Sequence, residues 1–156
     1  MFRLEERSLE ELPIRITRTL ELGAGPPVVF AVLADHIGWP GWFDGMKRAR
    51  VDGDASGVGA LRTVWVPPTR VQERFVCWDE GERLTFHIVA SSVPGLRAMT
   101  EDWRLEPHDA ERTRLTIDIG VEPVRWLRWL SPVVEAIVRR STAGAAGIQR
   151  RFPVSH

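Results

Sequence analysis

Four charged side chains stand where strand alternation calls for apolar ones: Arg18, Arg62, Glu73 and Glu101. Each shares an inward-facing parity with residues such as Ile16, Val64, Phe75 and Met99. A charge enclosed among apolar groups must be paired or lose its charge by titration. Two of the four can be placed together. If the turn at Pro67-Pro68 joins its strands symmetrically, Val66 faces Thr69, Val64 faces Val71 and Arg62 faces Glu73. Directly opposed residues on one face of an antiparallel pair have Cβ atoms about 5 Å apart, so an Arg62–Glu73 ion pair is expected. The arginine should hold the Glu73 carboxyl low, which leaves Glu101 as the better proton carrier for general acid–base work. Two roles stay open for the pair: a structural salt bridge, or the polar anchor of an apolar pocket.

Other chemistries find little support. The histidines His36, His87, His108 and His156 show no ligand spacing, and the one cysteine, Cys77, excludes an internal disulfide and a multi-cysteine zinc site. No metal and no cofactor are expected. His36 remains a weak third catalytic candidate, as a general base at a pocket mouth, beside Glu101 and Glu73. No nucleophile elbow, phosphate loop or dinucleotide fingerprint occurs, and with no tyrosine in the chain a phenolic acid is excluded. Lys plus Arg and Asp plus Glu balance at 21 each, so no net field favours nucleic acid. There is no run of about 18 apolar residues to span a bilayer and no signal-peptide pattern at Met1. Cysteine usage makes the cytoplasm the default location. Trp126 and Trp129 beside Arg125 and Arg128 have the composition of a membrane interface. The segment is short, however, so packing against the sheet edge is expected, without stable membrane insertion.

The elements that must position these groups can be read from period and punctuation. Residues 1–12 are charged and weakly patterned, an N-terminal arm, and 13–153 form one domain, as suits 156 residues. Ile14 to Leu22 alternates as a strand. Pro26-Pro27 opens a short helix, and the Gly- and Trp-rich text from His36 to Asp44 gives a second. Six strands follow, over residues 47–51, 60–66, 70–78, 83–91, 97–106 and 114–121, separated by turn signals as in an antiparallel meander. From Ser131 the apolar period becomes helical to about residue 150, with Gly144 and Gly147 inside it.

The chain resembles the START-like (SRPBCC) superfamily, in its polyketide cyclase/dehydratase branch. The residues that carry the resemblance begin with Val28-Val-Phe-Ala-Val-Leu-Ala-Asp35, Trp39-Pro-Gly-Trp42 and Gly57-Val-Gly-Ala-Leu-Arg62. They continue as Arg70-Val-Gln-Glu73-Arg-Phe75, Trp78-Asp79, Arg83-Leu-Thr-Phe86 and Thr113-Arg-Leu-Thr116. It spans roughly residues 13–152 and implies an α+β helix-grip fold. In that fold a curved antiparallel sheet of six or seven strands wraps a long C-terminal helix, with two short helices after the first strand. It also implies an internal cavity for a hydrophobic molecule of lipid, polyketide or aromatic type. Trp39, Trp42 and Phe43 would close one end of that cavity. Phe75, Phe86 and Trp103 would line it, and Arg62, Glu73 and Glu101 would supply its polar groups. The resemblance fixes no catalytic set. Three functions stay open: a carrier or sensor, a cyclase/dehydratase-type lyase or isomerase using an inner-face carboxylate, and a protein-interaction domain with a filled cavity. The chain would act as a monomer or homodimer.

Overall fold

The computed structural model describes residues 1–155. Its sheet is antiparallel and holds the seven expected strands plus one short addition. The two-residue β1 (Phe2–Arg3) precedes β2 (Ile14–Leu22), β3 (Arg48–Val51), β4 (Leu61–Val66) and β5 (Thr69–Asp79). β6 (Arg83–Ser91), β7 (Leu96–Asp109) and β8 (Arg112–Pro123) complete it. The spatial order is β2-β8-β7-β6-β5-β4-β3, with β1 paired on β6. α1 (Pro26–Ala34) and a 3-10 turn (His36–Gly41) follow β2. The chain closes with a 3-10 segment (Arg125–Leu130), α2 (Ser131–Thr142), a second 3-10 segment (Ala143–Gly147) and α3 (Ile148–Arg151). This is the curved, unclosed sheet around a C-terminal helix of the helix-grip fold.

Local sequence explains the departures from simple alternation. Between β5 and β6 the register slips at Phe75/Cys77, where Phe75 faces Phe86 and Cys77 faces Thr85. A bulge of one residue exchanges the two faces of the strand beyond it. Cys77, expected inside by parity, therefore turns outward toward Asp79. Trp78 takes the inner position, its ring 5.9 Å from Phe30 and 5.4 Å from Phe75.

The C-terminal helix is not continuous. Gly144 and Gly147 lie so close to the carbonyl oxygens of Asp44 and Trp42 that a Cβ at either would overlap them. Asp44 N–H donates to Gly144 O at 3.0 Å. The glycines thus let the helix press against the 42–44 segment, and the backbone tightens to 3-10 over Ala143–Gly147. Residues 2–5 pair with the ends of β6 and β7, which puts Leu4 in the main core, and residues 7–12 lie against the outer face of the sheet. Leu4, Leu9 and Leu12 are buried, Leu4 N–H donates to Val89 O, and Glu5 N–H donates to Arg97 O. Leu9 and Leu12 crowd Gly120 of β8.

Candidate functional site

Between the inner face of the sheet, the Trp39–Met46 segment and α2 lies a cavity of about 310 Å³. Its wall is mostly apolar. The sheet supplies Val64, Val71, Phe86, Ile88 and Met99, α2 supplies Val134 and Val138, and Trp39, Phe43 and Met46 close one end. Pro94 and Ile137 line it and are also exposed, which sets its mouth between the loop before β7 and α2. The interior is therefore not filled. Glu73 and Glu101 are the two charged side chains on the wall.

β4 and β5 pair in the expected register, with Arg62 opposite Glu73. The Arg62 Nε–H donates to Glu73 Oε2 at 2.5 Å. Arg62 itself is wholly enclosed (0% exposed) and lies behind the wall. Its guanidinium carbon sits 3.8 Å from the Trp39 ring centroid, 5.1 Å from that of Phe75 and 5.3 Å from that of Phe86. Such cation–π contacts offset part of its desolvation. Nη1 donates to His36 Nδ1 at 3.2 Å. Burial, reinforced by the adjacent Arg62 charge, pushes the His36 imidazole down to about 4. His36 is thus a neutral acceptor that orients Arg62. It lies inside the protein rather than at the mouth.

Glu101 is supported from its own strand. Trp103 Nε1–H donates to its Oε2 at 2.9 Å. Burial first, and the neighbouring Glu73 charge second, push the Glu101 carboxyl up to about 7, against the opposing influence of Trp103, Arg62 and Arg18. For Glu73 burial also acts upward and outweighs the pull of Arg62. The sequence-based expectation of a lowered Glu73 fails because it weighed the arginine and not the loss of water. Arg18, on β2, donates to the Arg139 carbonyl, so it ties the sheet to α2.

Of the residues expected around the ligand, Trp39, Phe43, Glu73, Phe86 and Glu101 lie on the cavity wall. Arg62, Phe75 and Trp103 are buried one layer behind it, and Trp42 packs at 4.6 Å on Trp39. Ile88, Met99, Val134, Val138 and Thr142 also line the cavity. The first two share the inner parity of their strands, and the last three sit at helical spacing on α2. Both signals were present in the sequence. Trp126 and Trp129, expected to pack on the sheet edge, are instead 69% and 77% exposed on a 3-10 segment that buries none of its residues.

Among the described residues, no helix is long and apolar enough to cross a membrane. The chain is similar to several known proteins. An uncharacterized protein of Mycobacterium tuberculosis is 28% identical over 99 residues, covering 62% of this chain and 59% of that protein. This chain thus matches little more than half the length of that relative. In fold it is similar to a START superfamily protein from Mycobacterium smegmatis (TM-score 0.74, 13% identity, 88% of this chain and 96% of that one). It is also similar to an aromatase/cyclase from a Streptomyces species (TM-score 0.72, 18% identity, 90% and 96%). A major latex-like protein from Panax ginseng shares the fold too (TM-score 0.68, 12% identity, 90% and 98%). The family described as "Polyketide cyclase / dehydrase and lipid transport" matches residues 13–152, so the chain belongs to that START-like family.

Proposed function

We propose that the chain binds a hydrophobic small molecule in this cavity, as a carrier or sensor. In this reading the ligand is held by a hydroxyl or amino group that donates to Glu73 and Glu101. The observation that carries the reading is the composition of the wall: mostly apolar, with the hydroxyls of Thr69, Ser91, Ser141 and Thr142, two carboxyl groups and no cationic side chain. A largely apolar pocket with a few convergent polar groups is the usual form of a small-molecule site. Glu73 Oε2 is taken by Arg62 and Glu101 Oε2 by Trp103. Each Oε1 makes no hydrogen bond among the described residues and is left for a ligand. Because Arg62 lies enclosed behind the wall, a ligand carboxylate would meet two carboxyl groups and no cationic side chain in the cavity.

The test is calorimetric titration at pH 8 with three ligands of one shape: 2-naphthol, 2-naphthylmethylamine and 2-naphthoate. The alcohol and amine should bind, and the carboxylate should bind at least about tenfold more weakly, the ratio expected from one well-made hydrogen bond to a charged group. Equal affinities would remove the carboxyl anchor, and no binding in a broad hydrophobic panel would remove the carrier reading.

A second reading rests on Glu101. A carboxyl near 7 can give and take a proton at neutral pH, as a cyclase or dehydratase needs, and a protein of the same fold is described as an aromatase/cyclase. Glu101→Gln would then abolish turnover of a polyketide substrate while binding survives. A carrier would show no turnover to lose.

A further inference from the structure

The formal net charge is zero, yet the charges are unevenly placed. From residue 124 to residue 152 the chain holds Arg125, Arg128, Arg139, Arg140, Arg150 and Arg151 against one acid, Glu135. Glu135 is engaged by Arg139 at 2.9 Å. Glu122, just before this segment, is buried and bound by Arg7 and Arg97. Arg125, Arg128 and Arg140 form no ion pair among the described residues.

Between these arginines runs an apolar stripe on the outside of the molecule. Trp126, Trp129, Val133 and Ile137 are 69%, 77%, 51% and 62% exposed. Their spacing of three and four residues puts them on one side of the helical path from the 3-10 segment into α2. The adjoining side is already used, since Leu127, Val134 and Val138 face the cavity. Trp126, Trp129 and Val133 therefore have no structural task inside the fold. Nor is the stripe loose, because Trp129 Nε1–H donates to Trp126 O at 2.8 Å. Ile137 belongs to both surfaces, so the stripe borders the cavity mouth.

We propose that this stripe docks the protein on an anionic lipid surface. The indoles would enter the headgroup region, Arg125, Arg128 and Arg140 would meet lipid phosphates, and the cavity mouth would face the bilayer. Tryptophan and arginine on one amphipathic surface is the composition that favours such an interface. The contact is peripheral, as no helix among the described residues is long and apolar enough to span a membrane. A second copy of the chain is a poorer occupant. A two-fold contact places a patch on itself, which would bring two sets of unpaired arginines into one interface. The mouth location also gives the contact a use: an apolar ligand could pass between lipid and cavity without crossing water. This goes beyond the ligand-binding reading and can fail separately from it.

The experiment is vesicle co-sedimentation at low salt, with phosphatidylglycerol/phosphatidylcholine vesicles against phosphatidylcholine alone. The wild type should sediment with the anionic vesicles and be released as salt rises. The exposed double variant Trp126→Ala/Trp129→Ala should keep its melting temperature and lose binding by at least about tenfold. Arg125→Ala and Arg128→Ala should each weaken it by about fivefold. Acyl-chain-brominated lipid should quench wild-type tryptophan emission and leave the double variant nearly unquenched. Absence of binding to anionic vesicles, or equal binding by the wild type and the double variant, overturns the proposal. So does a concentration-dependent dimer that the same double substitution dissolves, since the stripe would then be covered by a second copy.

Discussion

Trp103 and Glu101 lie two residues apart on the inner face of β7, and the indole N–H of the first donates to Oε2 of the second at 2.9 Å. This bond fixes which carboxylate oxygen stays available. With Oε2 occupied, a proton on Glu101 sits on Oε1, the oxygen free to meet a ligand. Trp103 is accordingly a positioning residue. Trp103→Phe should weaken a hydrogen-bonding ligand more than a purely apolar one of the same shape, a difference that paired calorimetric titrations would reveal.

Glu101 should also make stability depend on pH. Its folded carboxyl titrates near 7, above its ordinary 4.5. The folded state therefore holds a proton that the unfolded chain has released, and stability should fall as pH rises from about 4.5 through 7. The loss then levels off, at an order of about 3 kcal/mol in total. Glu101→Gln should flatten this slope in urea melts at pH 5, 6, 7 and 8. An unchanged slope in the variant would mean that Glu101 is ionised throughout.

Removing Glu73 should be costly. Arg62 is fully enclosed, so Glu73→Ala would leave its charge without a carboxylate, at about 3–5 kcal/mol. Replacing the pair together, as Arg62→Met/Glu73→Leu, should recover most of that loss, because the desolvation of both groups disappears with them. Chemical denaturation of the single and double variants measures the difference. A loss below about 1 kcal/mol for Glu73→Ala would show that water reaches Arg62.

Trp39 should report on the ligand. It is the one tryptophan on the cavity wall, whereas Trp103 and Trp42 are shielded from the cavity by their neighbours. Trp39→Phe should abolish most of the emission change on titrating an aromatic ligand, and Trp65→Phe, on the outer side of β4, should leave it unchanged.

Gly144→Ala should destabilise by about 1–3 kcal/mol, the usual cost of overpacking. Its Cβ would overlap the Asp44 carbonyl, which is backbone and cannot rotate aside. Thermal melts beside Ala143→Ser, an exposed change one residue away, would isolate the effect.

The sequence made the strand order and the Arg62–Glu73 pairing legible because both rest on strict period-two alternation and a two-residue turn. The same rule misplaced Cys77, since a bulge leaves no mark in the pattern of apolar residues. The cavity was foreseen from resemblance, but its wall was drawn too deep. Parity says that Arg62, Phe75 and Trp103 face inward, yet it cannot say that Trp39 and Phe86 stand in front of them. Leu4, Leu9 and Leu12 were hidden among charged residues with no period: Leu4 reaches the core from a short pairing at the end of β6, and Leu9 and Leu12 bury on the outer face at Gly120. The exposed placement of Trp126 and Trp129 ran against hydrophobicity itself, which is why it points outside the fold.

β7 holds an uncommon position, with Met99, Glu101 and Trp103 enclosed on one side and, on the other, Ala98 and Thr100 beside the N-terminal segment and Asp102 under Arg83 and Arg104. A strand shielded on both faces opens only with the whole domain, so its amides should be among the slowest to exchange with deuterium. Those of α2, half in solvent, should exchange much sooner. The carboxyl proposed to meet the ligand is thus mounted on the strand expected to open last. Little ordering would be needed there on binding, and the adjustment to ligands of different bulk would fall to the helix on the other side of the cavity.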